Sequence, residues 1–226
     1  GADDETAQDA LDRASGIDDP NVVTLGLGTY SDESIVDVNG DPVVLSSAQL
    51  APRIAGIVAA RGERQSVSFA RLGGLSIVSG ATDAEILDFL GGGVLAIAQD
   101  SHVTSPVRLE RGITTYVSDT TDTPNEIYSQ IKFVRTMHGV EMELTEFAEQ
   151  NVVGQLPVNN STREYLVGEM QAQLNRRIAD SVIQPGAQVT IDIEPPPSDD
   201  QDFIQLAYVV KFGRSLEQVY NTVYVG

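Results

Sequence analysis

Cysteine is absent from the 226-residue chain, and only two histidines occur. Without cysteine there is no disulfide, no thiolate nucleophile and no thiolate metal site, a composition compatible with assembly in a cytoplasm. No run of 18 apolar residues is present, which excludes a transmembrane helix. The opening residues, GADDETAQDALDRASG, are acidic and polar and lack the apolar core of a signal peptide. The chain begins with Gly, so a fragment or trimmed chain with residues missing upstream is expected.

Lysine is equally scarce. Lys132 and Lys211 are the only two, against twelve arginines, and 33 acidic residues leave a net charge of −19. Such a chain repels nucleic acid and anionic membranes, so neither is expected as a partner. Many carboxylates with few lysines also point to a salt-loving host. At molar salt the Debye length falls to about 3 Å, and the self-repulsion is screened.

The apolar residues, 41% of the chain, are enough for a sizeable core. Residues 1–15 read as a short acidic helix with Leu11 as its one large apolar residue. NVVTLGLGTYS (21–31) reads as a buried strand, and SIVDVNGDPVVL (34–45) as a hairpin turning at Asn39-Gly40. A helix follows over 46–62, capped by Ser46 or Ser47 and stopped at Gly62, with Leu50, Ile54, Ile57 and Val58 on one face. A second helix starts at the cap Thr82 and ends in the glycines 91–93. Residues 70–80 read as loop and strand, and strands are predicted at 94–99 and 107–117. This alternation predicts an α/β layer structure.

Beyond the polar SDTTDTP (118–124) the texture changes. Thr123 and Glu126 form a capping-box pattern, with Pro124 at the first helical position. A long helical stretch over 123–157 carries Ile127, Ile131, Val134, Met137 and His138 at helical spacing. A second, over 160–183, lines up Tyr165, Met170, Leu174 and Ile178, widened by Leu166. A turn and a strand are predicted over 184–195, and strands at 203–212 and 218–226. The expected domains are an acidic N-terminal segment (1–19), a central α/β portion (20–118) and a C-terminal α+β domain (119–226) with two long helices and a small sheet.

Catalytic chemistry finds little support. His102 lies in a Ser-His-Val-Thr-Ser loop beside Asp100, but no G-x-S-x-G elbow accompanies it. His138 reads as a helix-face residue. The glycines at 73–74 and 91–93 form no dinucleotide or Walker pattern, and the second set reads as a helix end. Glu141, Glu143, Glu146 and Glu149 lack the histidine spacing of a zinc site, and DDQD (199–202) lacks the glycine and terminal Glu of a calcium loop. A solvated acidic face accounts for both. No cofactor and no metal site are expected.

Interface material stands out instead. In VYNTVYVG (219–226), Val219, Tyr220, Thr222, Val223, Tyr224 and Val225 are β-branched or aromatic and read as a strand. Such an edge invites pairing with other chains, so the strand is either buried in its own sheet or offered to another molecule.

SPVRLERGITTYVSD, the two helical stretches through NVVGQLP and NRRIADSVI, then VTIDIE and FIQLAYVVKFGRSLEQVYNTVYV together resemble the C-terminal region of contractile tail sheath proteins. VVTLGLGTYS through PRIAGIVAARG is similar to the end of that family's central domain, which is subtilisin-like in topology without being a protease. The resemblance covers residues 20–226. It implies a structural protein of a virion tail, assembled in the host cytoplasm, and not an enzyme. Sheath subunits stack as six-membered rings into a helical tube around an inner tail tube protein, ending at baseplate and tail terminator proteins. Terminal arms link neighbours by strand addition, and contraction moves subunits largely as rigid bodies without ATP. Val219, Tyr220, Thr222, Val223, Tyr224 and Val225 would form the linking strand. The family's N-terminal arm and the first part of its central domain have no counterpart here, and the acidity points to a virus or element of a halophile. Two other readings stand beside this one: a divergent α/β hydrolase using His102 and Asp100, and a monomeric binding module of a halophile surface.

Overall fold

A computed structural model describes residues 5–99, 107–117, 125–157, 160–191 and 206–212. It shows a mixed α/β fold of five α-helices and small sheets. The chain separates into two compact units, Gly1–Val134 and Arg135–Gly226.

In the first unit, α1 (Ala7–Ile17) starts at Thr6, whose hydroxyl accepts from the Asp9 amide while the Asp9 carboxylate accepts from the Thr6 amide at 2.8 Å. Two orphan amides at the helix end are thereby satisfied. The helix has few large apolar residues, yet Ala10 and Ala14 are fully buried against Phe89, Val94 and Ala96. Small side chains let this helix approach closely, so its contribution to the core was not legible from Leu11 alone.

The predicted strand 21–31 is two strands. β1 (Thr24–Leu25) and β2 (Gly28–Val36) belong to different sheets, with Gly26 between them. A Cβ at Gly26 would lie 2.8 Å from the Phe89 ring, so only glycine allows the chain to pass there. β3 (Pro42–Ser46) completes the hairpin with β2. Its turn falls at Asn39-Gly40 as expected, with Gly40 at φ +87° and the Asp37 amide donating to the Asp41 carbonyl at 2.8 Å.

Ser46 caps α2 (Ser47–Ala60) through a capping box with Gln49. Leu50 and Ile54 are buried, while Ile57 and Val58 pack partly buried against the same core. The helix ends one residue earlier than expected, with Arg61 as its cap rather than Gly62. β4 (Leu75–Gly80) pairs with the other edge of β2, giving an antiparallel sheet in the order β3-β2-β4. Thr82 caps α3 (Asp83–Gly91) with Glu85 as its box partner.

The predicted strand 94–99 also divides. β5 (Val94–Leu95) pairs in parallel with β1, whereas β6 (Ile97–Ala98) pairs antiparallel with β7 (Arg108–Leu109). Only two residues of the strand expected at 107–117 are in this ladder. Of the rest, Ile113 makes an isolated bridge to Gln130. Tyr30, Leu50, Val67, Leu72, Leu95, Leu109 and Ile131 are among the buried residues of this core.

The helical stretch expected at 123–157 is a 3₁₀ turn (Asn125–Ser129) followed by α4 (Ile131–Asn151). Thr123 and Pro124, the expected cap, lie outside the described residues. In the second unit, Val140 and Leu144 of α4 pack against Leu166, Met170 and Leu174 of α5 (Asn160–Ala179). Tyr165 does not share this stripe. It is 44% exposed, and Leu166 takes the inward position at four-residue spacing from Met170 and Leu174. β8 (Gln188–Ile191) and β9 (Leu206–Val209) form a two-stranded antiparallel sheet.

Candidate functional site

Val219, Tyr220, Thr222, Val223, Tyr224 and Val225 lie outside the described residues, as do Asp100 and His102. His138 is exposed on α4. Among the described residues no group of three or more acidic or histidine side chains could hold a metal ion, and no helix is long and apolar enough to cross a membrane.

The most buried carboxylate among the described residues, Asp32, was not expected. The inward alternation of β2 that buries Tyr30 also turns Asp32 toward the core, where it is 1% exposed. Its Oδ1 accepts from the Ser34 amide at 2.9 Å and the Ser34 hydroxyl at 2.6 Å. Its Oδ2 faces Arg53 Nη1 at 2.5 Å. Arg53 Nη2 donates to the Gly73 carbonyl. Burial pushes the Asp32 carboxyl up, but the Ser34 hydrogen bonds and the Arg53 charge outweigh it and hold it below its ordinary value. Both of its oxygens are thus committed to local partners, and the cluster ties β2 to α2 and to the turn before β4.

A shallow groove of about 280 Å³ opens beside α1, lined by Glu5, Arg13, Thr24, Leu25 and Ser47. Arg13 pairs there with Glu5 and donates to the Leu25 carbonyl. The Ser47 hydroxyl donates to the Gly28 carbonyl at 3.2 Å. These contacts join α1 and α2 to the strands and supply no nucleophile poised beside a base.

In the second unit the polar contacts also serve assembly of the fold. Arg177 of α5 donates from Nε to Glu143 Oε2 at 2.5 Å and from Nη2 to the Gly139 carbonyl at 2.8 Å, joining α5 to α4. Gln171 donates to the Ala187 carbonyl at 3.0 Å, anchoring the approach to β8. The Gln184 amide donates to the Lys211 carbonyl at 2.7 Å, joining the segment before β8 to the one after β9. Partial burial and then the charge of Glu141 push the Tyr208 hydroxyl above its ordinary value. Among the described residues β8 and β9 pair only with each other.

Residues 123–226 match the family model of the phage tail sheath C-terminal domain. The resemblance to the tail sheath family holds. The sheath tail protein of Desulfitobacterium hafniense superposes with a TM-score of 0.63 at 18% identity, over 87% of this chain and 46% of that one. The sheath tail protein of Listeria innocua gives 0.60 at 14% identity, over 86% and 47%. The sheath complex of an extracellular contractile injection system, PVC, in its contracted state gives 0.71 at 14% identity, over 98% and 61%. The chain thus spans about half the length of the solved sheath proteins it matches. No curated protein matches its sequence. The fold likeness extends well beyond the residues of the family match, into the first unit.

Proposed function

We propose that this chain is part of a structural subunit of a contractile tail sheath that polymerises into a helical tube around an inner tube and contracts to drive injection. The observation that carries the reading is the sheath-domain match over 123–226, supported by a fold shared along nearly the whole chain with the contracted PVC sheath. The subunit works by geometry rather than catalysis. The free energy released on contraction is the difference between two packings of the same subunits. Copies stack as six-membered rings, and baseplate and terminator proteins close the two ends. Residues 20–118 are the end of a subtilisin-like but non-catalytic central domain, and 119–226 the C-terminal domain. The acidity suits the virus or related element of a halophile.

In this reading the strand at Val219–Val225 leaves its own subunit and adds to a neighbour's sheet. Main-chain hydrogen bonds supply affinity, and alternate side chains supply specificity. Such an interface is heterologous, so it builds open helices. Removing residues 216–226 leaves a folded, soluble chain that forms no tubes in negative-stain micrographs at high salt. Normal sheaths from the truncated chain would refute the linking-strand assignment.

A further inference from the structure

The first unit carries two charged surfaces of opposite sign. Glu33–Pro42 lie exposed at the end of the β2–β3 hairpin. β4 accompanies β2 only from Gly28 to Asp32, so the hairpin runs on past its neighbour. Its tip presents Val38, fully exposed, beside Ile35 and Val36, which are about half exposed. Asp37 holds this tip in one shape, accepting from the amides of Asn39 at 2.8 Å and Asp41 at 3.0 Å. The exposed charges of the hairpin, Glu33, Asp37 and Asp41, are all negative.

The opposite sign gathers elsewhere. Residues 61–71 and 108–111 hold five arginines against two glutamates, in a chain whose overall ratio is 14 to 33. The backbone brings these segments together. The Phe69 amide donates to the Leu109 carbonyl at 2.8 Å, Arg71 bridges Arg108, and the Gly112 amide donates to the Ser68 hydroxyl at 2.9 Å. Buried Val67, Ala70 and Leu72 anchor the loop beneath. At its centre Phe69 is 40% exposed at φ +56°, a left-handed conformation that a bulky residue rarely adopts. The Arg108 guanidinium stands 5.1 Å from its ring centroid and pairs with Glu110 at 3.3 Å, while Arg71 and Arg111 are exposed. A local cationic surface with an aromatic centre, maintained against an acidic background, fits an acidic partner with an apolar tip.

We propose that the surface around Phe69, Arg71, Arg108 and Arg111 receives the Glu33–Asp41 hairpin of a second copy of this chain. Val38 meets the Phe69 ring, and the three hairpin carboxylates face the arginines. The partner is another copy because charge complementarity and apolar match are both present within the chain itself. The contact joins two different surfaces, so it propagates rather than closing a dimer. This inference rests on the sheath reading for its setting, and it names a contact separate from the terminal strand.

Charge reversal tests it in the full chain, at the lowest salt that keeps it folded. Arg71→Glu with Arg111→Glu, or Glu33→Arg with Asp41→Arg, each raises the protein concentration needed for assembly by about tenfold or more, and combining all four restores it. The hairpin reversal lowers the net negative charge, so a general charge effect would instead favour its assembly. Because the chain has no cysteine, a Val38→Cys, Arg71→Cys double variant reads the contact directly. Mild oxidation gives a ladder of species beyond dimers, which neither single variant gives. Unchanged assembly with no ladder overturns this contact and leaves the sheath reading standing. A ladder from a chain that makes no tubes upholds the contact and sinks the sheath reading. Neither tubes nor ladder overturns both.

Discussion

The two units bury their apolar surface with different materials. In Gly1–Val134 the helices α1, α2 and α3 each open on a capping box, Thr6 with Asp9, Ser46 with Gln49 and Thr82 with Glu85, and a three-stranded sheet and short strand pairs accompany them. Among the described residues Arg135–Gly226 relies on two long helices, with Leu166, Met170 and Leu174 packed with Val140 and Leu144, and one two-stranded sheet. A two-stranded pair is marginal alone and gains from a third strand. Among the described residues the first unit therefore spreads its core over several sheets and capped helices, whereas the second concentrates its core on one helix pair.

The largest test of that contrast is a matched pair of core truncations. Leu50 and Leu174 are both fully buried, one in each unit. Each Leu→Ala change costs about 3 kcal/mol. In denaturant unfolding followed by amide exchange, Leu50→Ala weakens protection in the first unit and Leu174→Ala in the second. Equal loss across both units for either variant would show that they unfold as one.

Removing the guanidinium beside Asp32 comes next. Arg53→Ala leaves a buried carboxylate without its ionic partner and costs about 2 kcal/mol near pH 7, less than for a fully buried pair because Arg53 is 31% exposed. The folded Asp32 carboxyl is held below its ordinary value. The stability it lends is therefore complete above the unfolded value near 4, and is lost as pH falls through the lower folded value. Acid titration of the wild type lowers stability from about pH 4 downward, and Asp32→Asn flattens part of that slope. An unchanged slope would show that other carboxylates carry the acid sensitivity.

The smallest effect runs the other way. Gln173 on α5 is 5% exposed, and its Oε1 has no hydrogen-bond partner among the described residues. Gln173→Met, of similar volume, removes that unmet acceptor and raises the stability of the second unit by about 1 kcal/mol. A loss on chemical denaturation would mean that water or another group serves the amide.

Local chemistry made much of this legible. The hairpin turn follows from Asn39-Gly40, because glycine alone adopts φ +87° there without strain. The starts of α2 and α3 follow from Ser46 and Thr82, whose side chains satisfy amides a few residues away. Such signals need no distant partner. Signals that depend on distant partners were misread. Residues 94–99 read as one strand, yet the run splits because β5 and β6 find partners 70 residues upstream and about a dozen downstream, in different sheets. Tyr165 and Leu166 are both apolar enough for a helix stripe, and only the position of α4 selects Leu166. The ion pair of Asp32 with Arg53, and the meeting of two arginine-rich segments around Phe69, were equally out of reach, since 21 and about 40 residues separate their parts.

By itself, then, the sequence determined the charge of the chain, the caps and turns that begin and end its elements, and the ordered pattern that resembles the sheath family, whose C-terminal domain model matches residues 123–226. The tertiary structure decided which strands pair, which of two adjacent apolar residues is buried, and where scattered arginines become one surface. The physical reason is range. A cap or a tight turn is settled by bonds within four residues, whereas pairing, burial and surface charge depend on which distant segments the folded chain brings together.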